Sequence, residues 1–246
     1  MSFNLKQRPS IERSALFVST VYASILFATA AFQHYLFGTQ VWDIGLFEQF
    51  SWLISEGRIT EISSLRHIAP LEDHFSLLLL PLGAIYKVFP STFSLIGLQS
   101  IALGSLPVVV ACLAVKRQIS SRLIWTLICA IVLCPYSFLV NRGDFHPDVL
   151  TIPFMIVAIF EATQSRRWRY YFFLIIILFA KNAQALFGFG LGLYAIARGR
   201  YTRGVITSVI ATLWWFVGTQ LSSAGGDHVA IRLGYLGDTK LEMIST

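Results

Sequence analysis

The sequence predicts an all-α fold: a polytopic membrane helix bundle of about seven spans, with an outer amphipathic juxtamembrane helix and a re-entrant segment. Three observations carry that prediction. Hydrophobic residues make up 55% of the 246, charged residues only 13%, and mean hydropathy is +0.66; a soluble domain carries about a quarter of its residues as charges. The apolar residues gather in runs of membrane-spanning size. Basic residues cluster between those runs, as loops retained in the cytoplasm do, and this accounts for the net charge of +6 without any nucleic-acid partner.

Lys6, Arg8 and Arg13 precede the first apolar run, Ser14 to Phe37. Ala28-Thr29-Ala30 resembles a signal-peptide cleavage site. The run is nevertheless long enough to cross roughly 30 Å of hydrocarbon, which favours a retained helix. From Gly38 to His74 comes the longest polar interruption. Its first half reads as an amphipathic helix, because Trp42, Leu46, Phe50, Leu53 and Ile54 fall on one face and Gly57 supplies a stop. Such a helix is expected in the interface plane with that face toward lipid.

The next apolar stretch, His74 to Phe89, is short for a span and carries Pro81 and Lys87. Basic clusters at Lys116, Arg117 and Arg122, at Arg166, Arg167 and Arg169, and at Arg198, Arg200 and Arg203 should share the cytoplasmic side with the N-terminus. They do so only if His74 to Phe89 is re-entrant. The spans are then Ser14 to Phe37, Phe93 to Val115, Leu123 to Val140, Val149 to Thr163, Tyr170 to Ala180, Ala183 to Ala197 and Gly204 to Leu221. Tyr170 to Ala197 is read as a hairpin turning at Lys181-Asn182, since one long helix would separate the Arg166 and Arg198 clusters. This arrangement puts 11 of the 13 carboxylates, and all of His34, His67, His74, His146 and His228, on the outer face. Chemistry is expected there. Cys112, Cys129 and Cys134 lie inside apolar segments and read as small buried hydrophobes. Gly188, Gly190 and Gly192 read as helix-packing residues, and 224–227 as a loop.

Four outer features could carry chemistry. Asp43 opens the amphipathic helix, either as a general base toward an acceptor hydroxyl or as that helix's N-cap. Asp73-His74 and Asp144-Phe145-His146-Pro147-Asp148 place carboxylates and imidazoles on outer turns. They could bind a divalent cation such as zinc, manganese or magnesium, or a phosphate-bearing head group, or make ordinary loop hydrogen bonds. Lys181 lies at the hairpin turn, where an ionisable group needs a partner: a lipid-linked phosphate, Asp144 or Asp73, or the outer interface to which it snorkels.

The segments Trp42 to Gln49, Asp73 to Ser76, Asp144 to Asp148, and Lys181 before a glycine-rich helix resemble an uncharacterised family of bacterial and archaeal multi-pass membrane proteins. That family resembles the GT-C glycosyltransferases, which take a sugar from a polyprenyl-phosphate carrier on the outer face. The resemblance covers Gly38 to the C-terminus, including His228 to Ile244, and implies that Asp43 is the base. With it, Lys181 and Arg142 would hold the donor phosphate, while Asp73, His74, Asp144 and His146 position the sugar or a cation. Asn182 and Ala183 stand where the family places acidic residues. The expected organisation is a single transmembrane domain, 1–246, with 38–92 as outer loop and re-entrant segment, forming the N-terminal part of a longer family architecture. Membrane lipid and a lipid-linked sugar are the expected partners, with a further membrane protein supplying the remaining helices. The competing expectation is a catalytically inert subunit or assembly factor in the cell membrane.

Overall fold

Residues 8–165 and 167–222 are described by a computed structural model of the protein; Lys6, Arg166, His228 and the rest of 223–246 lie outside it. Among the described residues every regular element is helical. In order they are α1 (Arg8–Tyr35), a π-helical turn (Val41–Gly45), α2 (Leu46–Ser55), α3 (Leu79–Val88), α4 (Thr92–Gly104), α5 (Leu106–Lys116), α6 (Ser121–Val132) and α7 (Pro135–Arg142). A 3-10 turn (Pro147–Thr151) leads into α8 (Ile152–Glu161), followed by α9 (Arg167–Leu178), α10 (Gln184–Ala197) and α11 (Tyr201–Leu221). Helices occupy all seven predicted segments. Among the described residues four rods are long and apolar enough to cross a membrane: Pro9–Tyr35, Thr92–Lys116, Ser121–Arg142 and Tyr201–Leu221.

Two of those rods are helix pairs joined at a proline. Pro107 sits in the first turn of α5 and weakens the backbone ladder there. Ser19 of α1 takes up the slack, its Oγ accepting from the Val108 N–H at 2.9 Å. The approach is close because Gly104 has no side chain; a Cβ there would lie 2.4 Å from that of Ala23. Cys134, just before Pro135, is extended at ψ 114, as a residue preceding proline prefers, and this separates α6 from α7.

Each end of the bundle is gathered by polar contacts. At one end, Arg117 donates to Thr163 Oγ1 at 2.7 Å, Arg200 to the Thr163 carbonyl at 3.0 Å, and Arg203 to the carbonyls of Glu161 and Ala162 at 2.8 and 2.7 Å. The three basic loops therefore meet, as the charge pattern requires. At the other, acidic end, the α9–α10 turn joins the 72–78 segment: Asn182 N–H donates to the His74 carbonyl at 2.8 Å, and Leu78 N–H to the Phe179 carbonyl at 2.8 Å. The expected hairpin is present, with α9 ending at Leu178 and α10 starting at Gln184. α10 and α11 touch through Gly192 and Gly204, where a Cβ on Gly204 would stand 2.5 Å from the Gly192 carbonyl. Small residues permit that contact without any hydrophobic drive between helices in lipid. Of the three glycines in the run, Gly188 and Gly192 face neighbours and Gly190 faces open space.

The amphipathic helix corrects one expectation. Leu46 and Phe50 are buried against Leu79, Leu82, Leu95, Ile96 and Phe145, Ile54 packs on the same cluster and Leu53 is buried as well, so the apolar face of α2 turns into the protein and not toward lipid. Lipid tails are as apolar as these side chains, so the inward face is favoured by close packing against α3 and α4 and not by removal from water. Exposure falls instead on Trp42, 63% exposed in the π-helical turn that precedes α2. The expected stop holds: Gly57 adopts φ 74, and its N–H closes onto the Ile54 carbonyl. α3 lies antiparallel along α2, with Tyr86 Oη donating to Glu48 Oε1 at 3.0 Å and Gly83 facing Ile54. Ten residues span about 15 Å, too little to cross.

Candidate functional site

Asp43 lies within the π-helical turn and not at its cap; the N-cap is Gln40, whose side chain makes no capping bond. That removes the N-cap reading. The Asp43 carboxylate is half-buried and has no hydrogen bond or ion pair among the described residues. Its charge acts on the Asp144 carboxyl.

Asp144 is only 5% exposed and sits at φ 77, a conformation that costs an L residue energy and persists only where surroundings hold it. Several long-range bonds supply the hold. Gln99, projecting from α4, donates through Nε2 to the Asp144 carbonyl at 2.9 Å and accepts the His146 N–H at 2.9 Å. Asn141 donates to the Leu26 carbonyl at 2.8 Å and accepts from Ser100 Oγ at 3.2 Å. Asp144 Oδ2 accepts the Gln40 N–H at 2.7 Å, while Oδ1 is buried without a hydrogen-bond partner. Burial pushes the Asp144 carboxyl above the usual carboxylate range; the Gln40 N–H opposes this, the Asp43 charge adds to it, and His146 and His34 oppose it. Thus Asp43, Asp144, His146 and His34 form one neighbourhood, with the His146 ring 6.3 Å from that of Phe47.

Asp73 and His74 form a second neighbourhood. Asp73 is 1% exposed, and its Oδ1 is paired with Arg66 at 2.7 Å and lies 3.6 Å from His74 Nε2. Its Oδ2 is buried without a hydrogen-bond partner. Lys181 pairs with Asp148 at 2.8 Å, both partly buried. The partner is therefore neither Asp144 nor Asp73, because the turn carrying Lys181 comes down beside the start of the 3-10 element. Among the described residues no three of His, Cys, Asp and Glu come together as a metal site.

Arg142 is exposed, donates through Nε to Gln33 Oε1 at 2.7 Å, and accepts at its carbonyl from Gln33 Nε2 at 2.9 Å. Beside it, a groove of about 490 Å³ runs between α1 and α7, walled by Phe32, Leu36 and Phe138. Gln33 and Arg142 also line a small cavity that reaches Asp144. Sequence reading missed Gln33, Gln99, Asn141 and Asp148 as organisers. Only Asp148 stood in a motif, and nothing local marks an amide that bonds across more than forty residues.

The helices and their apolar exteriors define a membrane protein. A family model described as a predicted membrane protein, DUF2079, matches residues 33–224, and the chain belongs to that family. Neither curated proteins nor solved structures gave a match.

Proposed function

We propose that this protein is a membrane glycosyltransferase of GT-C type, moving a sugar from a polyprenyl-phosphate donor to an acceptor hydroxyl at its acidic end. The observation that carries the reading is continuity. An apolar groove suited to a prenyl chain ends on Arg142, and Arg142 also lines the cavity leading to Asp144, the neighbour of Asp43. In this reading all seven segments cross the membrane, with the N-terminus cytoplasmic, α2 and a re-entrant α3 outside, and the acidic end extracytoplasmic.

The chemistry follows from the two carboxylates. Asp43, without a partner, takes the acceptor's hydroxyl proton as its oxygen attacks the anomeric carbon. The bond from that carbon to the phosphate oxygen breaks, and polyprenyl phosphate leaves with the electron pair. Asp144, whose burial favours its neutral form, limits the negative charge beside Asp43, so one carboxylate serves as base and the other as support. Arg142 is aimed at the carrier phosphate. Lys181 reaches a phosphate only by exchanging it for Asp148. Asp73, His74 and His146 are left to orient sugar hydroxyls.

The protein reconstituted with a polyprenyl-phosphate-linked sugar and membrane acceptors provides the test. Asp43→Asn is expected to lower the release of polyprenyl phosphate by about 10²-fold or more, the usual worth of a positioned base. Turnover at the wild-type rate would sink the reading. The Lys181–Asp148 pair favours a second reading, an inert subunit of a larger membrane complex, since a purely structural lysine makes that kind of bond. That reading predicts an unchanged cell envelope in an Asp43→Asn strain.

A further inference from the structure

At the basic end, opposite the candidate site, a cavity of about 390 Å³ opens between the first turns of α9 and α11. Arg167, Arg200 and Arg203 line it together with Ser165, Tyr171 and Thr202. Neither helix has an acidic residue in its first turn, and Arg200, at the N-cap of α11, makes no capping side-chain bond. The N–H groups and dipole of a helix start favour an anion. Here two such starts share one cavity.

Among the described residues no carboxylate neutralises the charges in the cavity. Glu161, the nearby acid, is engaged by Arg169 at 3.4 Å. Arg203 is 6% exposed and spends Nη1 on the Glu161 and Ala162 carbonyls, with its guanidinium carbon 5.2 Å from the Tyr170 ring centroid. Its Nε is buried without a hydrogen-bond partner. No carboxylate pairs with it among the described residues, and Arg200 and Arg167 stand close enough to repel it. A buried cation held among like charges, beside two helix starts, is a site that an anion completes. Trp168 and Tyr201, both strongly exposed beside the cavity, suit the headgroup level of a bilayer, and Ile206 gives the cavity an apolar wall.

We infer that this cavity binds the phosphate of an anionic phospholipid headgroup. Arg167 and Arg200 are exposed, Arg200 keeping N–H groups beyond the one it gives to the Thr163 carbonyl, Thr202 and Ser165 supply hydroxyls, and Arg203 sets the positive field from beneath. The site is independent of the transferase reading, because it uses other residues at the other end of the bundle.

The full chain, reconstituted in phosphatidylcholine doped with spin-labelled phosphatidylglycerol, tests it through the motionally restricted lipid fraction. The wild type is expected to select phosphatidylglycerol over spin-labelled phosphatidylcholine. Arg167→Gln and Arg200→Gln should each lower that selectivity about tenfold or more, the worth of a hydrogen bond made directly to a charged group. Arg122→Gln, a change in a neighbouring basic loop outside the cavity, should lower it far less. Equal losses from Arg122→Gln and Arg200→Gln would reduce the effect to general surface charge and overturn the site. Millimolar inorganic phosphate should leave the lipid in place. If phosphate alone releases it and itself protects Arg200 from guanidine-directed labelling, the cavity takes free phosphate and the lipid assignment fails.

Discussion

At the scale of single residues, Asp144 ties conformation to protonation. Its backbone is held at positive φ by Gln99 while its carboxyl is buried. Because the folded state keeps that proton more tightly than the unfolded chain does, folding is favoured wherever the group is protonated. The contribution is fully present below the ordinary aspartate pKa and is lost as pH rises through the elevated folded value. Thermal unfolding in detergent should therefore show the wild type losing stability relative to Asp144→Asn as pH rises from acid toward neutral. A flat difference across that range would show that the burial is relieved by another route. Lys181 makes a second residue-scale prediction. A double-mutant cycle with Lys181→Met and Asp148→Leu should give a coupling of about 1–2 kcal/mol, as for a partly buried ion pair. In the transferase reading, Lys181→Met also raises the KM for the lipid-linked donor; a change in stability alone would leave Lys181 a structural residue.

At the scale of elements, the contact between α2 and α3 depends on a missing side chain. A Cβ at Gly83 would lie 2.4 Å from Ile54 Cγ2 and 2.7 Å from its Cβ. Gly83→Ala should cost about 1–3 kcal/mol, the usual penalty of overpacking. Ile54→Ala in the same chain should recover part of that loss, and an additive double variant would show that the two helices do not meet there. This contact also marks how far sequence patterning reaches. The periodicity of Leu46, Phe50 and Leu53 revealed an amphipathic helix because a helical face repeats locally. It could not say whether lipid or α3 covers that face, since both are apolar. The π-helical turn at Val41–Gly45 was equally hidden, because a one-residue change in helical pitch leaves no distinct pattern of polarity.

At the scale of the molecule, the basic and acidic ends were legible because arginine clusters alternate with apolar runs. The structure unites the three basic loops through Thr163, Glu161 and Ala162, with the geometry that pattern implies. The candidate site was legible only as a collection of carboxylates and histidines. Its division into one group around Asp144 and another around Asp73 depends on Gln99, Arg66 and Asp148, whose partners are fixed by the fold. Charge asymmetry also separates the two activities inferred above. An Arg200→Gln protein should lose lipid selectivity while retaining donor turnover, and an Asp43→Asn protein should do the reverse; loss of both in either variant would mean that the ends are coupled.

The last of the long-range bonds has a consequence for biosynthesis. Ser222 Oγ, at the close of α11, donates to the Glu72 carbonyl at 3.0 Å, across 150 positions of chain. The groups around Asp144 find their amide partners Gln33, Gln40, Asn141 and Gln99 in polypeptide that has already been made. The loop bearing Asp73 and His74 must instead wait for Lys181–Asn182 to emerge, and then for the end of α11. The ribosome thus completes the two halves of the acidic end at different times, and a nascent chain halted after α10 would carry the first in its final form and the second without its closing bond.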